Sequence, residues 1–328
     1  MDSSVVTRRA MLGGAAIVAA APAVAQECRI GPVPHAKGPP VFMDYDQVEL
    51  DAAYNQLVYA PTTPQIVKRY VTNSDATRAR LGPPKRFAYG PTAVEGLDVY
   101  RSSRENAPIM VFVHGGEWRA GSAKASAYAA ELFVRSGAHF VVPDFINVIE
   151  AGGSLMPMAD QVRRAVKWVH DHANEFGGDA NRIFLSGHSS GGHLTGVLVT
   201  TDWAKDFGLP ADVIKGAIAC SGMYELAPVA LSFRRTFVTF TPQTIEALSP
   251  QRHLDKIVCP TIVTYGTLET PEFQRHSRDF AAAAAAAGKP VSLLACENYN
   301  HFEIIETMAN PYGPLGRAAL EMMSLAPV

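Results

Sequence analysis

The sequence predicts an α/β fold, a mostly parallel central sheet with helices on both faces, and three observations lead there. Short apolar runs of strand type recur at residues 108–114, 139–143, 183–185, 214–219, 257–265 and 291–295. Between most of them lie stretches with apolar residues at helical spacing, and strands alternating with helices build parallel sheets covered on both faces. The run Pro108-Ile109-Met110-Val111-Phe112-Val113-His114 is apolar without alternation until its last residue, as a strand buried on both sides requires.

The first residues are set apart from that pattern. Thr7-Arg8-Arg9-Ala10-Met11-Leu12 is followed by a small, apolar stretch that closes on Ala23-Val24-Ala25. A paired arginine, an apolar segment and an A-x-A site, in that order, resemble a twin-arginine export signal cleaved after Ala25. The stretch is too short, and too rich in Ala and Gly, for a stable membrane span. Residues 1–25 are therefore expected to direct the protein to the periplasm or the medium.

Residues 26–44, rich in Pro and Gly, are expected to form a linker or a wrapping segment, and the main domain is placed at 45–328. Val48, Leu50, Ala52, Ala53 and Leu57 mark an N-terminal helix. Strands at 86–89 and 97–101, separated by Gly90-Pro91 and Gly96, predict an antiparallel hairpin at the start of the sheet. A helix is expected at 124–135. The next one places Met158, Val162, Ala165, Val166 and Val169 on one face and Arg163, Arg164 and Lys167 on the other. Residues 223–250 carry no period, contain Pro228 and Pro242, and follow a strand end, so they are expected to roof the site. The alanine-rich helix at 272–287 stops at Gly288-Lys289-Pro290, and residues 302–308 suggest another helix.

With 328 residues and 48% apolar composition the chain can bury a full core, and one large domain suits it better than several small ones. Its 29 basic and 31 acidic residues leave no electrostatic footprint for nucleic acid, so a small molecule is the expected partner. Oligomeric state is not encoded in any readable pattern. Of the four cysteines, Cys259 opens one predicted strand and Cys296 closes the next, which puts them at opposite sheet edges. Cys220 and Cys296 share an edge but stand two strands apart, about 9–10 Å, beyond disulfide reach. Free buried thiols are expected, with a bridge through Cys28 left open.

The stretch around which the rest is arranged is Ile183-Phe184-Leu185-Ser186-Gly187-His188-Ser189-Ser190-Gly191-Gly192-His193-Leu194. It reads strand, sharp turn, helix, and Gly187 to Gly191 fits G-x-S-x-G, whose glycines permit a strained serine at the turn. Ser189 is the candidate nucleophile. A serine hydroxyl needs a histidine to take its proton and a carboxylate to hold that histidine, each in a loop after a strand, in the chain order Ser, acid, His. His301, after the 291–295 strand, and Glu269, in Gly266-Thr267-Leu268-Glu269-Thr270-Pro271, fill those places. Glu272 and Asp279 fall inside the following helix, where a solvated face explains them. His188 and His193 are assigned to local packing or hydrogen bonding, and His114 to holding the glycine loop. No histidine set has metal-ligand spacing, so no metal is expected. Oxyanion donors are expected from the amides of Ser190, Gly115 and Gly116, the last two in His114-Gly115-Gly116-Glu117-Trp118. Glu117, Trp118, Phe145 and Tyr224 are candidate pocket residues. No cofactor is expected, because the triad and water suffice for the reaction, and a dinucleotide-binding protein is set aside because the glycine loop matches neither G-x-G-x-x-G nor a Walker lysine motif.

Those segments, with Glu269-Thr270-Pro271-Glu272-Phe273, Asn300-His301-Phe302 and the helix Leu50-Asp51-Ala52-Ala53-Tyr54-Asn55, resemble the arylformamidase (kynurenine formamidase) branch of the α/β-hydrolases. The resemblance runs from about Tyr45 onward and implies the α/β-hydrolase fold and a Ser189, Glu269, His301 triad. Where that family usually carries Asp two positions before the proline, this chain has Glu269, one methylene longer. The expectation is an exported serine hydrolase acting on a small amide or ester. Alternatives are a carboxylesterase for short or aromatic esters, an acyltransferase with the same triad, and a binding protein of the same fold without turnover.

Overall fold

The computed structural model describes residues 30–327, so the export-signal stretch and Cys28 lie outside the described residues. Eight strands form the sheet: β1 (Lys85–Ala88), β2 (Gly96–Tyr100), β3 (Ala107–Val113), β4 (His139–Pro143), β5 (Gly178–His188), β6 (Ile214–Cys220), β7 (Thr261–Gly266) and β8 (Val291–Cys296). Their order across the sheet is β1-β2-β4-β3-β5-β6-β7-β8. β1 and β2 form the expected hairpin, β2 also runs antiparallel to β4, and every other pairing is parallel. The chain goes from β3 outward to β4 on one side and then to β5 on the other. The crevice at such a reversal, beyond the carboxyl ends of the strands, is where open α/β sheets hold ligands.

The helices are α1 (Gln47–Ala53), α2 (Thr63–Leu81), α3 (Ala130–Arg135), α4 (Met156–His172), α5 (Ser190–Val199), α6 (Trp203–Phe207), α7 (Leu226–Val229), α8 (Pro242–Leu248), α9 (Pro271–Ala286), α10 (His301–Glu306) and α11 (Pro314–Met322). Alternate residues of β3 feed two cores. Ile109, Val111 and Val113 face α4 and α5, through Val162, Val166, Leu194 and Val197. Met110 and Phe112 face the opposite layer, with Phe133 of α3 and Leu315 of α11. Among the described residues no helix is long and apolar enough to cross a membrane.

Three local differences from the sequence-based expectations have physical causes. The seventh strand begins at Thr261 and not at residue 257, because Leu254–Lys256 is a 3₁₀ turn and Pro260 has no N–H to give to a ladder. The helix expected at 124–135 is 3₁₀ over Lys124–Ala129, with a break at Ser126, and becomes α-helical only from Ala130. The 19-residue α2 has no counterpart in the expectations, since the residues it buries are Thr63, Ile66, Ser74 and Thr77. Three of those four are polar, so no apolar period marks its inner face.

Residues 30–44 are mostly exposed and lead through a turn at Met43 and Asp44 into α1. There Asp46 caps the helix, bonding the amides of Glu49 and Gly38, and Glu49 returns a bond to the Asp46 amide. Cys220, Cys259 and Cys296 are free and buried, as expected.

Backbone contact at the β5–α5 turn leaves no space for a methyl group. A Cβ on Gly191 would stand 2.1 Å from the Val113 carbonyl oxygen and 2.6 Å from that of His114. Gly191→Ala should therefore cost about 1–3 kcal/mol, the usual range for overpacking, read as a lower urea midpoint at unchanged m-value.

Candidate active site

The site begins with strand register. Parallel pairing sets Val113 against Gly187, His188 against Cys220, and Gly266 against Cys296, so the loops after five adjacent strands open at one edge. Ser189 sits between the end of β5 and the start of α5 with φ 59° and ψ −123°, a conformation costly for a residue with a Cβ. It is held there by its N–H donating to Cys220 O at 2.9 Å and by His193 N–H donating to its carbonyl at 2.9 Å. A Cβ on Gly187 would meet Gly191 O at 2.3 Å, and one on Gly192 would meet Cys220 O at 2.2 Å, so both glycines are required by close approach.

His301 opens α10, whose N-cap Asn300 accepts from the amides of Phe302 and Glu303. Its Nε2 lies 2.9 Å from Ser189 Oγ and its Nδ1 lies 2.8 Å from Glu269 Oε2. Glu269 is wholly buried and accepts from three further donors: Ser221 Oγ at 2.5 Å, the Gly266 amide at 2.7 Å and Gln56 Nε2 at 3.2 Å. Donors from several sides fix the longer glutamate in one orientation. Ser221 is itself held at φ 53°, on the turn after β6.

The glycine loop leans directly on this turn. A Cβ on Gly115 would be 2.7 Å from His188 O and 3.2 Å from Ser189 Cβ, and Gly116 has φ 121°. The N–H groups of Gly115, Gly116 and Ser190 have no hydrogen-bond acceptor among the described residues. Three free amides beside a serine are suited to an oxyanion. His114 bonds Gly115 O through Nδ1 at 3.0 Å and stacks on Phe145 at 4.3 Å, so it braces the loop.

Ser189 and His301 face a cavity of about 440 Å³. Its floor is the glycine loop. One wall comes from Gln56, Leu57 and the α2 residues Val67, Tyr70 and Val71, and of the 223–250 segment Arg234 alone lines it.

The comparisons agree with the fold. Residues 97–219 match the BD-FAE family. A kynurenine formamidase of Salmo salar is 28% identical over 86% of this chain and 97% of its own length, and one of Danio rerio is 29% identical over 86% and 97%. In fold, a putative thioesterase from silicibacter sp. tm1040 superposes with a TM-score of 0.72 at 22% identity, covering 81% of this chain and 97% of its own. A hyperthermophilic esterase from Pyrobaculum calidifontis gives 0.66 at 18%, covering 81% and 93%. The chain has the α/β-hydrolase fold and is similar along most of its length to the kynurenine formamidases.

Several side chains lie elsewhere than their sequence context suggests. Glu117 lines the cavity, but Trp118, Phe145 and Tyr224 do not. Trp118 is buried, with its indole N–H on His193 Nδ1 at 3.2 Å. Tyr224 stacks on Phe280 at 4.4 Å and donates to Ala219 O at 2.9 Å. Each of these aromatics packs under the site because its polar edge, or for Phe145 its ring face, is already engaged within the protein. Glu272 is not on a solvated face: it is buried, accepting from Tyr54 Oη at 3.0 Å and paired with Arg275 at 2.6 Å. Asp279 is the exposed member, bonded to Arg275 at 2.8 Å.

His188 has a larger role than local packing. Its Nε2–H donates to His301 O at 2.8 Å and its ring lies 4.5 Å from the His301 ring. Burial first, and the neighbouring imidazole of His301 second, push its pKa well below the ordinary imidazole value. A neutral His188 therefore steadies His301 without placing a charge beside it. Gln56, Ser221 and Arg234 carry no local sequence signal, since what gives them significance is a partner far along the chain.

His193 carries the same burial effect, which lowers it from 6.5 to about 4. Between those values the unfolded chain binds more protons than the folded one, so stability rises with pH across that window and is lost as pH falls from 6.5 toward 4. The contribution of this residue is about 3 kcal/mol, and His188 and His276, also lowered, act in the same direction. Urea midpoints measured at steps through that range should fall with acidification, and His193→Gln should flatten the slope.

Proposed function

We propose that this chain is a serine hydrolase that cleaves a small amide or ester through an acyl-enzyme. The observation that carries the proposal is the continuous line Ser189 Oγ, His301 Nε2, His301 Nδ1 and Glu269 Oε2, with steps of 2.9 and 2.8 Å beside three free amides. Ser189 Oγ attacks the carbonyl carbon while His301 Nε2 takes its proton. The charge that develops on the carbonyl oxygen falls to the amides of Gly115, Gly116 and Ser190. His301, now doubly protonated and facing Glu269, gives its proton to the leaving nitrogen or oxygen. Water then repeats the sequence on the acyl-enzyme and frees Ser189.

An aryl formamide is the preferred substrate class. It is supported by likeness to the kynurenine formamidases along nearly their whole length and by a cavity mouth of Leu57, Val67, Val71 and Phe302 that suits an aromatic leaving group. Esterases among the relatives, such as "Esterase LipQ" of Mycobacterium tuberculosis, make short aryl and alkyl esters the second class. The N-terminal segment, outside the described residues, supports export by the twin-arginine route. N-terminal sequencing of extracytoplasmic protein should then begin at Gln26, and lysine at both Arg8 and Arg9 should retain the precursor inside.

A fluorophosphonate probe should label the wild type and fail to label Ser189→Ala, whose kcat should fall at least about 10⁴-fold. Labelling that survives the substitution removes the catalytic assignment. On a panel of N-formyl anilides and p-nitrophenyl esters the formyl anilides should turn over. If they are untouched while esters react, the substrate class is wrong and the hydrolase assignment stands.

Ser221→Ala withdraws one donor from Glu269. Its kcat should drop about tenfold, the worth of one hydrogen bond to a charged group, with KM little changed. Equal losses in binding and turnover would place Ser221 outside the alignment of the acid.

A further inference from the structure

Most ring nitrogens of the buried histidines have a partner within the chain. His301 commits Nε2 to Ser189 and Nδ1 to Glu269. His193 commits Nδ1 to the Trp118 indole and Nε2 to Leu248 O, and His276 commits Nε2 to Tyr54 Oη and Nδ1 to the Tyr224 amide. His114 and His139 each leave Nε2 without a partner, but in both that atom is sealed inside the protein. His188 differs from all of them.

Its Nε2 faces the carbonyl oxygen of His301 at 2.8 Å. A carbonyl only accepts, so the ring proton sits on Nε2, and burial keeps the ring neutral. Nδ1 is therefore a bare lone pair. It has no partner among the described residues and is not one of the sealed atoms. The His188 ring lines the cavity of Ser189, and its centre lies 4.5 Å from that of His301, so its open edge can meet a ligand there. An unused group that only accepts calls for a ligand that donates.

The reaction itself supplies a donor at that place. His301 Nε2 must protonate the leaving atom, so the leaving atom lies beside His301 and hence near the His188 ring. When that atom is the nitrogen of a secondary amide, it carries an N–H. We propose that His188 Nδ1 accepts this N–H, which makes His188 the residue that selects secondary amides over esters and over N-alkylated amides. The proposal rests on the hydrolase assignment and gives a specificity to the residue before its nucleophile. Attack by Ser189 Oγ makes the carbonyl carbon tetrahedral and ends the conjugation of the nitrogen, whose lone pair must then turn toward His301 Nε2. An acceptor for the N–H holds the nitrogen in that orientation. As the C–N bond breaks, its electron pair stays on nitrogen, the proton of His301 Nε2 joins it, and a neutral amine departs with its original N–H still on His188. An ester oxygen has no hydrogen to offer and leaves Nδ1 unsatisfied.

The test compares formanilide, N-methylformanilide and phenyl formate on the wild type, His188→Gln and His188→Asn. Glutamine carries an amide N–H near the place of Nε2 and no polar atom at that of Nδ1, so it keeps the bond to His301 O and removes the acceptor. Asparagine does the reverse, with Oδ1 near the place of Nδ1. In H188Q the kcat/KM for formanilide should fall about tenfold or more relative to the other two, the worth of one hydrogen bond, with the loss in kcat. H188N should lower all three substrates and keep most of the wild-type ratio among them. A ratio unchanged in H188Q, whether the three fall together or none falls, overturns the assignment. Failure of a fluorophosphonate to label the wild type, or of any of the three substrates to turn over, counts against the hydrolase assignment instead. Nitrogen NMR of histidine-labelled wild type then judges His188 by itself, and does so too if H188Q does not fold. The bare Nδ1 resonance of His188, identified by its absence from H188N, should move upfield with aniline and stay in place with N,N-dimethylaniline. Equal response to both amines, or to neither, overturns the acceptor role.

Discussion

The parallel pairing of β3 with β5 is the constraint on which the rest of the site depends. It sets Val113 against Gly187, and from that register the glycine loop and the serine turn leave the sheet side by side. Because the next strands, β6, β7 and β8, are also parallel, Ser221, Glu269 and His301 follow at the same edge. The glycines at 115, 187, 191 and 192 record how tightly the two loops and α5 are pressed together, since a methyl group at any of them would collide with backbone. Strain at Ser189 and Ser221, both with positive φ, is tolerated because packed strands on either side over-determine their positions.

Around that frame the polar groups are ordered by what burial costs. Glu269 is enclosed and takes bonds from a serine, an amide, a glutamine and His301, which leaves little freedom for either carboxylate oxygen. His188 and His193 are enclosed as well, and burial keeps both neutral near pH 7, so they serve as shaped hydrogen-bonding pieces and not as charges. Arg234 departs from this economy. It is as buried as they are, is necessarily cationic, and keeps two nitrogens without partners. Its cation lies instead over the rings of Phe233, Trp118 and Phe273.

The two sides of the cavity have different origins. The floor, from β3 and β5, is sheet edge and glycine loop, and is dictated by backbone contact. The facing wall comes from Gln56, Leu57 and α2, an N-terminal addition that closes over the sheet and also supplies a donor to Glu269. The 223–250 segment, the expected roof, contributes Arg234 alone to the lining, and several of its other large side chains, such as Tyr224 and Val229, are buried in the core beside the site.

By itself the sequence determined the order of strands and helices, the turn at Ser189, the glycine loop, and the places of Glu269 and His301. It did so because each is a local matter: apolar period, glycine where a Cβ cannot fit, and a polar residue in the loop after a strand. It could not mark α2, whose inner face is made of Thr63, Ser74 and Thr77, nor tell Trp118, Phe145 and Tyr224 from wall residues, because an aromatic that packs and one that lines a cavity look alike in one dimension. Only the tertiary structure decided that Gln56 and Ser221 hold the acid, that Glu272 is buried, and that Arg234 is enclosed among aromatic rings. The physical reason is the same in each case: a side chain's role is set by the partner it meets. For Gln56, Ser221 and Arg234 that partner lies from tens to more than two hundred positions away.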